Sequence, residues 1–365
     1  MRPIHFGSFL VAATAVLTGC ATQQSTPNEL ASFLVLLPLG SQGVRDLRGD
    51  FTGNFERELQ REGRELQAQK FLHVEGVMSR DPAPGRPERQ DVSVLIVPGI
   101  FGECVDEQAL PFSDGAVRSK DESYVHGYDY LSARLSNVRA VRVHGRASSR
   151  LNAELIASEV SREALRPEIR RIVLLAYSKG MPDSLEAIAL LQARNELTDK
   201  LKALVSVSGV VMGTPVADTY ADLYQALAEP LAPMGCPRSF GGEIESLTVS
   251  QRTRWMTTNT LPPGVRPYSI VAHTDVESTA PALRPFFKAL GKVDGRNDGQ
   301  VFTSHAVLPG AALLADVRSD HWTYVLPLER NPRKLVRSMS SGDSFPRGAF
   351  VVATIETVLQ DLDGN

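Results

Sequence analysis

The chain lacks an excess of charge of either sign. Among its 365 residues, 39 Lys and Arg stand against 42 Asp and Glu, a formal net charge of −3. No basic field is available to grip a phosphate backbone, so nucleic acid is not an expected partner. Cysteine is scarce: Cys20, Cys104 and Cys236 are the only three. There is no paired CxxC, no H-E-x-x-H and no P-loop, and Asp294 and Asp298 alone are too few oxygen ligands to argue for calcium. No metal and no cofactor is therefore expected. Internal repeats and long low-complexity tracts are also missing. What remains, 42% hydrophobic and 22% charged residues, is ordinary globular composition, enough for one large domain or two small ones.

The longest apolar stretch near the start, in "MRPIHFGSFLVAATAVLTGC", follows Arg2 and is too short for a spanning helix, so residues 1–19 read as a signal segment. Its ending, "LTGC", resembles the lipobox of bacterial lipoproteins. That resemblance implies a lipid on Cys20, anchoring in the cell envelope, and, from Ala21, the outer membrane. Residues 20–30 are then the lipidated cysteine and its tether, and residues 31–90 a lead-in. Removing residues 1–19 takes away one arginine and no acid, which moves the charge from −3 to −4. With Cys20 modified in an oxidising compartment, Cys104 and Cys236 are left to pair or to stay as buried thiols. A bridge would close a loop of 132 residues and contribute about 3–5 kcal/mol on a chain-entropy basis.

Beyond residue 90, buried strands alternate with helices. "VSVLIV", "VRAVRV", "RIVLLAYS", "LKALVSV", "YSIVAH" and "AALLADV" read as strands, and "SRLNAELIASEVSREAL", "PDSLEAIALLQARNEL" and "AFVVATIETVLQDL" as helices. This rhythm predicts an α/β fold, a mostly parallel central sheet with helices on both faces. "DFTGNFERELQREGRELQAQ" reads as a lead-in helix and "KFLHVEGVMSR" as a strand. The rhythm breaks over about 216–262, where Val216, Tyr220, Leu223, Leu227 and Leu231 form a helical stripe. Such a stripe is more often core than substrate groove, but its place between two sheet strands makes a cap or lid over an acyl pocket the reading for this excursion.

Chemistry is expected at "AYSKG", where an apolar strand turns abruptly into a helix. A nucleophilic serine needs exposure at a tight turn, a base within reach and donors for an oxyanion. Ser178 sits between small residues, Ala176 two before and Gly180 two after. The elbow pattern is G-x-S-x-G, with Ala176 here in place of the first glycine. Together with the order of elements, these residues resemble the α/β-hydrolase fold and its lipase-like members over most of residues 90–362.

The resemblance implies a chain order of serine, acid, histidine. Of seven histidines, His5 leaves with the signal, and His73, His126 and His144 precede Ser178. Among His273, His305 and His321, the last follows the final strand in "RSDHWTY" and is the expected base. "GRNDGQV" resembles the N-D-G-x-V segment of many lipases, which makes Asp298 the expected acid. Asp275 is the alternative, and Asp320 reads as solvated or capping. "PGIFG" resembles the family's H-G-x-x-G loop with Pro98 in place of histidine. By that likeness the backbone amides of Ile100 and Lys179 form the oxyanion hole, and Phe101 and Tyr177 line the substrate pocket. The Lys179 side chain either favours an anionic substrate group at the pocket mouth or pairs with Asp183. The reading as a whole is a carboxylic-ester hydrolase acting on ester or lipid substrates. Its competitor is a non-catalytic lipid- or glycan-binding protein on the same fold.

Overall fold

Apolar, β-branched runs build the centre of the molecule. The computed structural model describes residues 45–64, 67–80, 90–100, 111–112, 128–135, 137–219, 239–330, 334–341 and 345–364. Seven strands form one parallel sheet: β1 (Arg45–Asp46), β2 (Val92–Val97), β3 (Asn137–Ala140), β4 (Arg171–Tyr177), β5 (Leu201–Val207), β6 (Arg266–His273) and β7 (Ala312–Arg318). Their order is β1-β7-β6-β5-β4-β2-β3. The chain steps outward from β2 to β3, returns to the other side of β2 as β4, and then moves steadily away. The reversal lies between β2 and β4, and such a switch point opens a crevice at the carboxyl ends of its strands.

Four helices of 14 to 18 residues cover the sheet: α1 (Arg48–Arg61), α2 (Ser149–Ala164), α3 (Gly180–Ala193) and α4 (Arg347–Gly364). Strand periodicity sorts the side chains between the two layers. In β4, Val173, Leu175 and Tyr177 join the core under α1 and α4, whereas Ile172, Leu174 and Ala176 join the core under α2 and α3. Burial on both faces explains why the strands read as continuous apolar runs rather than alternating ones. Ser148 caps α2 by accepting from the Leu151 amide at 3.3 Å.

The α1/α4 layer is aromatic. Phe51 meets Phe350 edge-on with centroids 5.3 Å apart, and Phe345 meets Phe71 at 5.2 Å and Phe350 at 5.3 Å. Polar links fix the register of the two helices, with Asn54 Nδ2 donating to Thr357 Oγ1 and Gln360 Oε1, each at 2.9 Å.

Several expectations change. "KFLHVEGVMSR" is not a regular strand: Ala68–Lys70 form a 3₁₀ turn, and Leu72 makes one antiparallel bridge to Val317. β1 is a two-residue strand that gave no periodic signal. Within the 216–262 excursion, Pro215–Thr219 and Val249–Thr258 are helical. Trp255 and Met256 of the latter pack onto the α2/α3 core, so this part belongs to the body of the fold. Residues 220–238, the bulk of the expected lid, lie outside the described residues, as do residues 1–44 with Cys20, and Phe101, Cys104 and Cys236. Among the described residues no helix is long and apolar enough to cross a membrane.

Removing a ring from the aromatic layer leaves a cavity. Phe350→Ala is expected to cost about 3–5 kcal/mol, seen as a lower urea midpoint with little change in the slope of the transition.

Candidate active site

Ser178 follows β4 in a left-handed conformation, φ +53°, which costs an ordinary residue about 1–2 kcal/mol. The surrounding backbone holds it there. Its amide donates to Val207 O at 3.1 Å, and its carbonyl accepts from Met181 and Val210 amides at 3.1 and 3.2 Å. Space at the turn is equally restricted. A methyl group on Gly180 would lie 2.4 Å from Val97 O and 2.7 Å from Pro98 O, so only glycine lets α3 start this close to the end of β2. A methyl group on Gly99 would lie 2.9 Å from Ser178 Cβ. The backbone that leads into Ile100 therefore runs against the serine from one side, while Lys179 follows it on the other.

His321 comes from the turn after β7. Its Nε2 lies 2.8 Å from Ser178 Oγ and its Nδ1 lies 2.7 Å from Asp298 Oδ2. Asp298 stands in a loop that folds on itself through a bridge between Asn297 and Phe302. The other oxygen, Oδ1, accepts from the amides of Gln300 at 2.9 Å and Val301 at 2.8 Å, and the Asp298 carbonyl accepts from the His321 amide at 2.8 Å. A carboxylate on Nδ1 places the ring proton there and leaves the Nε2 lone pair facing the serine hydroxyl. All three side chains are buried, Ser178 at 6% exposure, His321 at 2% and Asp298 at 1%. The arrangement can withdraw a proton from Ser178 Oγ and hold the resulting imidazolium.

The structure separates the alternatives from this line. Asp275 is exposed and accepts from the Ser278 amide at 2.7 Å, a local turn contact. His305 is buried with Nδ1 2.9 Å from Gly213 O, and burial lowers its pKa. Asp320 is not solvated, as one of its readings had it. It is fully buried and accepts from the amides of Ala280, Trp322 and Thr323 and from the Thr323 hydroxyl, so it shapes the turn that carries His321. Burial nevertheless raises its pKa.

Tyr177 does not line an open pocket. It is 3% exposed, its ring centroid lies 5.1 Å from that of His321, and its hydroxyl donates to His321 O at 2.8 Å. Burial raises the phenol pKa well above its usual value, which keeps the donor proton in place. This supporting role was missed in the sequence, where the place of Tyr177 beside the turn serine was its only hint; Ser178 itself, expected exposed, is buried.

Lys179 is fully buried, with Nζ 2.8 Å from both carboxylate oxygens of Asp183. Of its two readings, the pair with Asp183 is the one observed, and the lysine at the pocket mouth is not. Asn152 Nδ2 donates to Asp183 Oδ2 at 2.7 Å and to His144 O at 2.9 Å, joining α2 to the start of α3. Beside this network, Arg252 is 2% exposed, its Nε donates to Val211 O at 3.2 Å, and burial pushes its pKa down to about 10.

No protein-family model matches the sequence, and no curated protein does. Among solved structures, a metagenomic carboxyl esterase is 30% identical, with a TM-score of 0.75 over 92% of this chain and 100% of that one. The chain belongs to the carboxyl esterases of the α/β-hydrolase fold. Looser likenesses reach the mature Bacillus licheniformis lipase (18% identity, 66% of this chain and 89% of that one, TM-score 0.47) and lipase 1 from Pelosinus fermentans (13% identity, 73% and 98%, TM-score 0.47). In this esterase the parallel sheet with its covering helices belongs to a known architecture.

The buried ion pair beside the serine has a measurable signature. Removing one partner strands the other charge, so Lys179→Met is expected to lose about 3–5 kcal/mol of stability. The double variant Lys179→Met with Asp183→Leu should recover most of it in chemical denaturation.

Proposed function

We propose that the protein is an envelope-anchored serine hydrolase of carboxylic esters. The observation that carries this reading is the unbroken hydrogen-bonded line from Ser178 Oγ through both nitrogens of His321 to Asp298. Ser178 Oγ attacks the ester carbonyl carbon while His321 Nε2 takes the hydroxyl proton. The carbonyl π pair moves onto its oxygen, and the amides of Ile100 and Lys179 receive that charge. Losing one such donor costs roughly 10²–10³ in turnover. When the tetrahedral species collapses, the alkoxide leaves with the proton from His321, and the acyl group stays on Ser178. Water then repeats the sequence, deprotonated by His321, and releases the acid and the free serine. Asp298 holds the ring tautomer throughout. Tyr177 and Asp320 fix the turn on which the histidine rides.

Anchoring rests on the lipobox-like "LTGC" and on the polar stretch after Cys20. Several acyl chains on one cysteine hold a protein at a bilayer, where a single chain binds only marginally.

Two experiments test these parts separately. Fluorophosphonate labelling and p-nitrophenyl ester turnover should both be lost in Ser178→Ala, and turnover in Asp298→Ala should fall by about 10⁴. Labelling that persists in Ser178→Ala, or near-normal turnover in Asp298→Ala with collapse in Asp275→Ala, overturns the assignment. In a bacterial host expressing the full chain, the wild type should incorporate radiolabelled palmitate and Cys20→Ser should not. Absence of label in the wild type, or label retained in Cys20→Ser, rejects the lipid anchor on Cys20 and leaves the chemistry standing.

A further inference from the structure

Three side chains that the ester chemistry leaves unused meet where β6 and β7 lie side by side. His273 ends β6, Asp316 lies in β7, and His73 comes from the segment that follows α1. Backbone pairing fixes all three. β6 and β7 align Val271 with Asp316 and His273 with Arg318, and the His73 amide donates to Asp316 O at 2.8 Å. His73 Nε2 lies 3.1 Å from His273 O, and His273 Nδ1 lies 2.9 Å from Asp316 Oδ1. The two imidazoles stack face to face, with centroids 3.8 Å apart and planes within 3°. One ligand atom from each of the three residues lies within 4.8 Å of the others. The side chains keep 12 to 20% exposure, enough for an ion to enter from solvent.

Stacked imidazoles bury a polar surface, and they repel once both are protonated. The neighbouring cations are already paired, Arg48 with Asp46 and Arg318 with Glu75. Glu75 Oε2 in turn lies 4.0 Å from His73 Nδ1, so a fourth donor is within reach.

We propose that His73, His273 and Asp316 form a binding site for a divalent transition-metal ion of the zinc type. Two imidazoles and a carboxylate are a donor set that zinc accepts, whereas calcium and magnesium require more oxygen atoms. The terminal torsion of histidine is soft, so a turn of one ring aims its lone pair at an ion shared with the other. The contact between His273 Nδ1 and Asp316 Oδ1 then changes from a hydrogen bond to two donors on one ion, and the ring proton moves to Nε2 by exchange with solvent. Bound metal would clip the lead-in segment to the two strands.

The test is equilibrium dialysis of the purified, EDTA-stripped protein against zinc chloride, with bound zinc read by atomic emission. Wild type is expected to take up one zinc per chain. His73→Gln, His273→Gln and Asp316→Asn should each weaken binding by about tenfold or more, since even outer-shell changes bring such losses. His321→Gln should leave binding unchanged, which separates this site from the imidazole beside Ser178. Ester turnover by metal-free His73→Gln and His273→Gln should match wild type and so report an intact fold. No saturable uptake by wild type, uptake retained by the His73→Gln/His273→Gln double variant, or uptake lost in His321→Gln would each overturn the proposal.

Discussion

The carboxyl ends of β2 and β4 come together so tightly that the backbone between them has almost no freedom. Gly180 sits against the carbonyls of Val97 and Pro98, and Gly99 sits against the Ser178 side chain. In that space Ser178 is held left-handed, against its own preference, by three backbone hydrogen bonds. The position of its hydroxyl, the approach of the Ile100 segment and the direction of α3 all follow from this one crowded contact. A larger residue at either glycine would push the two strand ends apart and move all three together.

The remaining parts reach the serine from the other side of the sheet reversal. β7 delivers His321 through a turn wrapped around the buried carboxyl of Asp320, and a folded loop delivers Asp298 with one oxygen already occupied by two amides. Rigid supports of this kind remove the reorganisation that a solvated carboxylate and a free imidazole would undergo during proton transfer. The Lys179–Asp183–Asn152 network does comparable work on the other flank, tying the start of α3 to α2 by contacts that never face solvent.

Much of this was legible in the sequence, because the relevant signals are local. Six strands announced themselves as short apolar runs, and "AYSKG" marked the corner between strand and helix. The serine, acid and histidine could be ordered along the chain, and the structure brings Ser178, Asp298 and His321 within hydrogen-bond distance. Other features were not legible, for physical reasons. β1 is too short to carry a period. Val249–Thr258 is polar enough to pass for loop, yet it docks through Trp255 and Met256. Lys179 had two readings, at a pocket mouth or paired with Asp183, and only burial decides between them. The roles of Tyr177 and Asn152, and the meeting of His73, His273 and Asp316, depend on strand register and on contacts spanning tens to hundreds of residues. No local pattern encodes them.

The hydroxyl of Tyr177 has an effect beyond support. Tyr177 and Ser178 are joined covalently, one holds the His321 carbonyl, and the other meets the His321 ring. Two adjacent residues thus grip two parts of a third, and the contacts close a small ring. In such a ring, motion of β4 relative to β7 carries Ser178 and His321 along in common rather than drawing them apart. The contact between Ser178 Oγ and His321 Nε2 is insulated from the breathing of the sheet around it, and it persists until the ring itself opens.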